Sequence, residues 1–203
     1  YVDGDGNIQS YWDSVNAGGT ITSPMSFGSP VKADRTHIVA PLSTGEVLFI
    51  DAISGRSGRK NSRERNPIET SILMADLTGD DREELIYILR NGGILRIDSH
   101  MENSGRLQEL FSYQAKDAPI GDPVLIAENS SANASKMIFW PTNSRLFAVR
   151  PIGTNPADWY HIEGNPSDYA GIKTPLALIP KSNGYPRIAY GQDKGISLLD
   201  PSL

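Results

Sequence analysis

The sequence predicts an all-β chain: a β-propeller of four-stranded antiparallel blades, about five in number. Three observations predict it. A short unit recurs: an apolar run, a turn rich in Gly or Asn, a second apolar run and a closing Asp. The turns fall at Gly6, Gly45, Gly93, Ser144 and Gly195, so successive copies begin 39, 48, 51 and 51 residues apart. That period is too long for a hairpin meander and matches a blade of roughly 40–50 residues. Finally, only Glu102 to Gln114 offers a helical reading, and there the alternation of Leu107, Glu109, Phe111 and Tyr113 fits a strand as well.

The elements follow in order. The first copy runs from Tyr1-Val2 through Gly4 to Asn7 into Ile8 to Trp12. The second pairs Ile38 to Ala40 with Val47 to Ile50 and closes on Asp51. The third pairs Leu85 to Leu89 with Ile94 to Ile97 and closes on Asp98. The fourth pairs Met137 to Trp140 with Leu146 to Val149, and the fifth pairs Ile188 to Tyr190 with Ile196 to Leu199. Gly and Asn suit these turns because they accept positive φ. Candidate strands precede four hairpins, at Ser29 to Val31, Ile72 to Met74, Asp122 to Ile126 and Thr174 to Ile179. Outer strands are expected at Thr20 to Phe27, Leu107 to Tyr113 and Asp158 to Ile162. The chain opens in mid-pattern and is expected to be a piece of something longer. The expected arrangement is either a ring whose ends share a blade or an arc of a larger ring. An ordinary β-sandwich is the alternative.

Composition narrows the function. With 38% hydrophobic and 21% charged residues, the chain is too apolar to be disordered. A net charge of −5 argues against a nucleic-acid binder. No apolar run reaches the ~18 residues of a membrane helix. The absence of Cys excludes a disulfide framework, an iron–sulfur cluster and a thiol nucleophile.

One motif is sharp: Asp76-Leu77-Thr78-Gly79-Asp80-Asp81-Arg82-Glu83-Glu84. Oxygen-bearing side chains recur at alternate positions, as a hard cation such as Ca²⁺ requires. Asp76, Thr78 and Asp80 would give side-chain oxygens, Arg82 its carbonyl and Glu84 the closing carboxylate. Gly79 permits a sharp turn, and Asp81 and Glu83 are expected to face water. The other reading is a polar, metal-free turn.

The same stretch resembles the calcium loop of FG-GAP-type repeats. The hairpin over Glu46 to Gly55 resembles the blades of quinoprotein-type (PQQ-like) propellers. The succession from Asp51 to Gly55, through the acidic loop and Ile86-Tyr87 to Asn91-Gly92-Gly93-Ile94-Leu95-Arg96-Ile97-Asp98, and on to Ala118 to Val124, resembles the C-terminal propeller of the PilY family of type IV pilus tip-associated proteins. The resemblance covers roughly residues 37 to 150. Leu89-Arg90 stands where that family has Gly-Asp, and Ile94-Leu95 lacks its Trp. It implies export to the periplasm or cell surface, a part in pilus biogenesis or adhesion, protein partners and bound Ca²⁺.

Other features read more plainly. Asp3 to Asn7 fits a hairpin turn rather than a second cation loop. His37, His100 and His161 are far apart and expected to be structural or solvent-facing. Arg56 to Arg65 carries five basic residues and reads as a solvated loop, with a patch for an anionic partner as the alternative. Asn129 and Asn133 sit in glycosylation-type tripeptides within a long exposed connection. Tyr11, Trp12, Phe49, Phe139, Trp140, Phe147 and Trp159 are expected to pack between blades, with Trp140 and Trp159 as exceptions near a binding face. No nucleophile elbow or phosphate loop occurs. The chain is therefore expected to be a non-enzymatic interaction module with no catalytic residue. A metal-free scaffold or sensor, of the outer-membrane assembly type, is the alternative, and a glycan-active enzyme the third reading.

Overall fold

The computed structural model describes residues 15–62, 66–101, 104–115, 117–127, 136–151, 155–163, 171–182 and 185–201. Every strand in them belongs to an antiparallel sheet of sequential neighbours. The first sheet takes β1 (Ser26–Lys32), β2 (Arg35–Pro41), β3 (Glu46–Asp51) and β4 (Ser57–Asn61). The second takes β5 (Leu73–Ala75), β6 (Glu84–Leu89), β7 (Ile94–His100) and β8 (Leu107–Gln114). The third takes β9 (Val124–Ala127), β10 (Lys136–Pro141), β11 (Leu146–Arg150) and β12 (Tyr160–Glu163). The fourth has three strands, β13 (Ala177–Ile179), β14 (Arg187–Gln192) and β15 (Gly195–Leu199). These are the blades of a β-propeller.

The inner hairpins explain why apolar runs dominate the sequence. All six residues of β6 are buried, and β3 and β10 are buried at all but their first residue. A strand covered on both faces needs apolar side chains at successive positions instead of alternate ones. The covering comes from neighbouring blades. Val39, Val47 and Phe49 of the first blade meet Leu85, Tyr87 and Leu89 of the second. The other face of the second blade, with Ile86, Ile88, Leu95 and Ile97, meets Ile138, Trp140, Phe147 and Val149 of the third. Met137, Phe139 and Leu146 then meet Ile188 and Tyr190 of the fourth. Each fully buried large side chain contributes about 1.5–3 kcal/mol.

Trp140 and Trp159 are no exception to this packing. Trp140 is fully buried and stacks on Phe147 at 5.1 Å, and Trp159 is buried beside Phe111. Their indoles fill the layer between the second and third blades, so neither serves a binding face. Tyr11 and Trp12 lie outside the described residues, as do the turn at Asp3 to Asn7, the whole first copy of the repeat, and Asn129 and Asn133.

Two expectations are corrected. Thr20 to Phe27 is not an outer strand: Ser26 and Phe27 begin β1 and pair with Val39 and Ile38, while Ile21 makes a single bridge to Leu42. The outer strand of the first blade is β4, cut from the basic stretch read as a loop. Its backbone pairs with β3 from Ile50–Ser57 to Glu46–Asn61. An outer strand needs only its ladder hydrogen bonds and tolerates polar side chains, so its composition carries no strand signal.

Gly93 shows why the hairpin turns demand glycine. Its φ is +56°, and a Cβ there would lie 2.2 Å from the Asp117 carbonyl oxygen. Any side chain would force the β6–β7 hairpin off the segment leading to the third blade.

Candidate functional site

The acidic loop joins β5 to β6, and the strand register fixes both ends: Ala75 pairs with Glu84. Between them the chain turns on Gly79 at φ +77° and Asp81 at φ +62°. Asp81 is the only non-glycine with positive φ among the described residues, a conformation that Asp tolerates better than most.

The carboxylates organise this turn. Asp76 accepts from the N–H of Gly79 at 2.6 Å with one oxygen and of Asp81 at 3.2 Å with the other. Asp80 accepts from the Arg82 N–H at 3.1 Å. Glu84 points inward and is 2% exposed. It accepts from the N–H groups of Leu77 and Thr78 at 2.6 and 3.3 Å and from the Thr78 hydroxyl at 3.1 Å. Burial pushes its carboxyl up to about 7, against the pull of those donors; the negative charges of Asp80 and Asp76 add to the rise.

The five residues picked from the sequence are therefore brought together at one turn. The Thr78 hydroxyl lies 3.1 Å from Glu84 Oε1 and 3.4 Å from Asp80 Oδ1, which gathers three oxygens at one point. The donor set is all oxygen and suits a hard cation in kind. The Asp76 oxygens, however, are turned onto backbone N–H groups. Among the described residues no three carboxylate or imidazole groups form a metal-holding cluster. The loop's own hydrogen bonds close it.

Glu83 overturns the expectation that it faces water. Its carboxylate accepts from the Ser29 N–H of β1, and its own N–H donates to the Ser29 carbonyl at 3.4 Å. On the other side, Lys136 at the start of β10 donates to the Asp76 carbonyl at 2.7 Å. The loop thus belongs to the second blade and is fastened to the first and third. Asp81 is exposed, as expected.

A buried ionic group in the same blade escaped the sequence reading. Arg96 grips Asp98 through Nε at 3.2 Å and Nη2 at 2.8 Å and reaches Glu109 at 2.6 Å; Tyr87 donates its hydroxyl to Asp98. Arg96 and Asp98 are 1% and 0% exposed. Burial and the adjacent Asp98 hold the Tyr87 phenol well above its usual range, so it remains a donor. The signal was the spacing: residues i and i+2 of a strand share a face, and opposite charges there in a fully covered strand imply a pair. At the same repeat position Asp51 instead caps the turn after β3, accepting from Ile53 and Ser54. Those donors hold its carboxyl below the usual range.

Comparison with solved structures places the architecture. The crystal structure of BamB from Moraxella catarrhalis is similar over 93% of this chain, at 15% identity and a TM-score of 0.53. The likeness is one of fold. The chain spans about half the length of that structure, 52%. No protein-family model matches the sequence. No curated protein matches it either.

Proposed function

We propose that the chain is a non-enzymatic β-propeller module that binds protein partners in the bacterial envelope, of the outer-membrane assembly type. The fold likeness to BamB carries this reading. The organisation of the acidic loop agrees with it. Its carboxylates are used to hold the turn and its neighbours, which is the work of a scaffold. The test is capture: the purified chain, immobilised, is exposed to detergent-solubilised envelope proteins. Saturable retention of a defined partner, competed by free chain, supports the reading. Retention no greater than that of an unrelated propeller rejects it.

A second reading adds Ca²⁺ at Asp76, Thr78, Asp80, the Arg82 carbonyl and Glu84. One observation favours it: oxygens of Thr78, Asp80 and Glu84 gather within 3.1 to 3.4 Å, with negative charges beside a buried carboxyl. A divalent cation would relieve that repulsion. Service in type IV pilus biogenesis or adhesion is the finer form of this reading and rests on the motif resemblance. Titration calorimetry with Ca²⁺ on chelator-treated protein decides it. One site, lost in Asp80→Ala, supports the cation; absence of heat leaves the loop as a fastening between blades.

A further inference from the structure

Among the described residues, nine large apolar side chains are exposed. Ile21, Met25, Phe27 and Ile53 lie in or beside the first sheet, and Leu178, Ile179, Ile196 and Leu198 lie in the fourth. Only Met101 lies elsewhere. Exposed apolar surface therefore gathers at the two ends of the row of blades and spares the middle. The strand registers show which way it faces, because directly paired residues share a face of a sheet. Leu198 pairs with Ala189 and Ile196 with Gly191, whereas the alternate Ile188 and Tyr190 are buried against the third blade. Ile196 and Leu198, 79% and 56% exposed, thus point away from that blade. On the same side of the second blade, Leu95 and Ile97 are fully buried by the third. At the other end Phe27 pairs with Ile38, and Ile38 with Ile50. Ile50 belongs to the cluster turned away from the second blade. Val15 and Ala17 pack on part of this face, and Phe27 stays 66% exposed. Among the described residues no apolar cluster joins the first sheet to the fourth.

We propose that these two end faces meet between copies of the chain: the fourth-sheet face of one protomer seats on the first-sheet face of its partner, and the reciprocal contact closes a two-fold ring of blades. The contact repeats what already holds the chain together. Each blade boundary sets the forward face of one sheet on the rear face of the next through apolar side chains. The end faces are the forward and rear faces that no described blade covers. The length suits closure as well: the chain spans 52% of the similar structure, so two copies supply about one such ring. A contact between unlike faces builds a ring where the rotation closes and a filament where it does not. With about half a ring in each copy, it closes after two. Pairing two fourth-sheet faces with each other would leave Phe27 and its neighbours in water.

Sedimentation equilibrium over a concentration series weighs the native chain. A reversible dimer is expected, at twice the chain mass of 22.1 kDa. Ile196→Lys and Phe27→Glu change exposed side chains on opposite end faces, and circular dichroism melts check that each variant is folded. Either substitution damages both contacts of the ring. Each should therefore weaken the dimer at least about hundredfold, about tenfold for each contact that loses a large apolar side chain. Mixing the two variants should restore association, because one contact is then native and the other opposes the introduced ammonium and carboxylate. A native chain that stays monomeric, a dimer unchanged by either substitution, or a mixture no stronger than its components overturns the proposal. Loss confined to Ile196→Lys also overturns it and assigns the dimer to two like faces. So does a series of masses beyond the dimer, which shows a contact that does not close. A monomer would leave the end faces to an envelope partner.

Discussion

Glu83 and Ser29 face each other across a blade boundary and exchange two contacts: the Ser29 N–H reaches the Glu83 carboxylate, and the Glu83 N–H reaches the Ser29 carbonyl. The pair joins residues 54 positions apart. It turns a surface loop into a fastening, because apolar layers resist separation of blades but do not fix how they slide.

Glu83→Ala should therefore destabilise the chain by about 1–2 kcal/mol, the loss of one charge-assisted hydrogen bond. Asp81→Ala removes an exposed carboxylate of the same loop but strains a positive φ, so Asp81→Gly is the matched control and should cost less. Urea unfolding measures both. Equal losses would show that Glu83 acts through loop charge alone.

At Glu84 the expected order is Ala well below Gln. Glu84→Ala strands the Leu77 and Thr78 N–H groups and should cost about 2–4 kcal/mol. Glu84→Gln keeps an acceptor and resembles the protonated acid, which is half populated near neutrality given a carboxyl at about 7. Its cost should stay below about 1 kcal/mol. Thermal melts of both variants at neutral pH check the order.

The buried pair answers a different substitution. Arg96→Met leaves Asp98 buried without its partner and should cost about 3–5 kcal/mol. The double change R96M/D98L should recover part of that loss, since two apolar residues leave no orphan charge. A double variant no better than the single would mean that Tyr87 and Glu109 depend on the pair more than the pair depends on itself.

His100 sets a pH dependence. Its folded value of about 4 lies below the ordinary 6.5 of the unfolded chain. Between the two, the unfolded state binds a proton that the folded state refuses. The contribution is fully present above the unfolded value, falls as pH drops through that window, and is gone below about 4. Urea midpoints at about pH 7 and about pH 4.5 should therefore differ less in His100→Gln than in the native sequence. An identical difference would remove His100 from the acid response.

How much of this the sequence showed depends on what each element needs. The inner hairpins were legible because burial on both faces writes itself as Leu85 to Leu89 or Met137 to Trp140. The acidic loop was legible because its residues are consecutive and its turn demands Gly79. The strand β4 was not, since Ser57 to Asn61 is strand only by its pairing with β3. Nor was the Glu83–Ser29 contact, which exists only once two blades are laid together. The pocket lined by His37, Phe49, Lys60 and His100 is of the same kind: these residues come from four strands of two blades and share no local pattern.

The apolar layers lie between blades and not within one central nucleus, and this governs how damage travels. Each sheet leans on its immediate neighbours, as in stacked repeats whose stability sums unit and nearest-neighbour contributions. A weakened layer is felt by two sheets and hardly by the others. Such a chain can gain or lose a unit at modest cost, and opening begins where a sheet is thinnest. Among the described residues that is the three-stranded fourth sheet, whose β13 is exposed along its whole length.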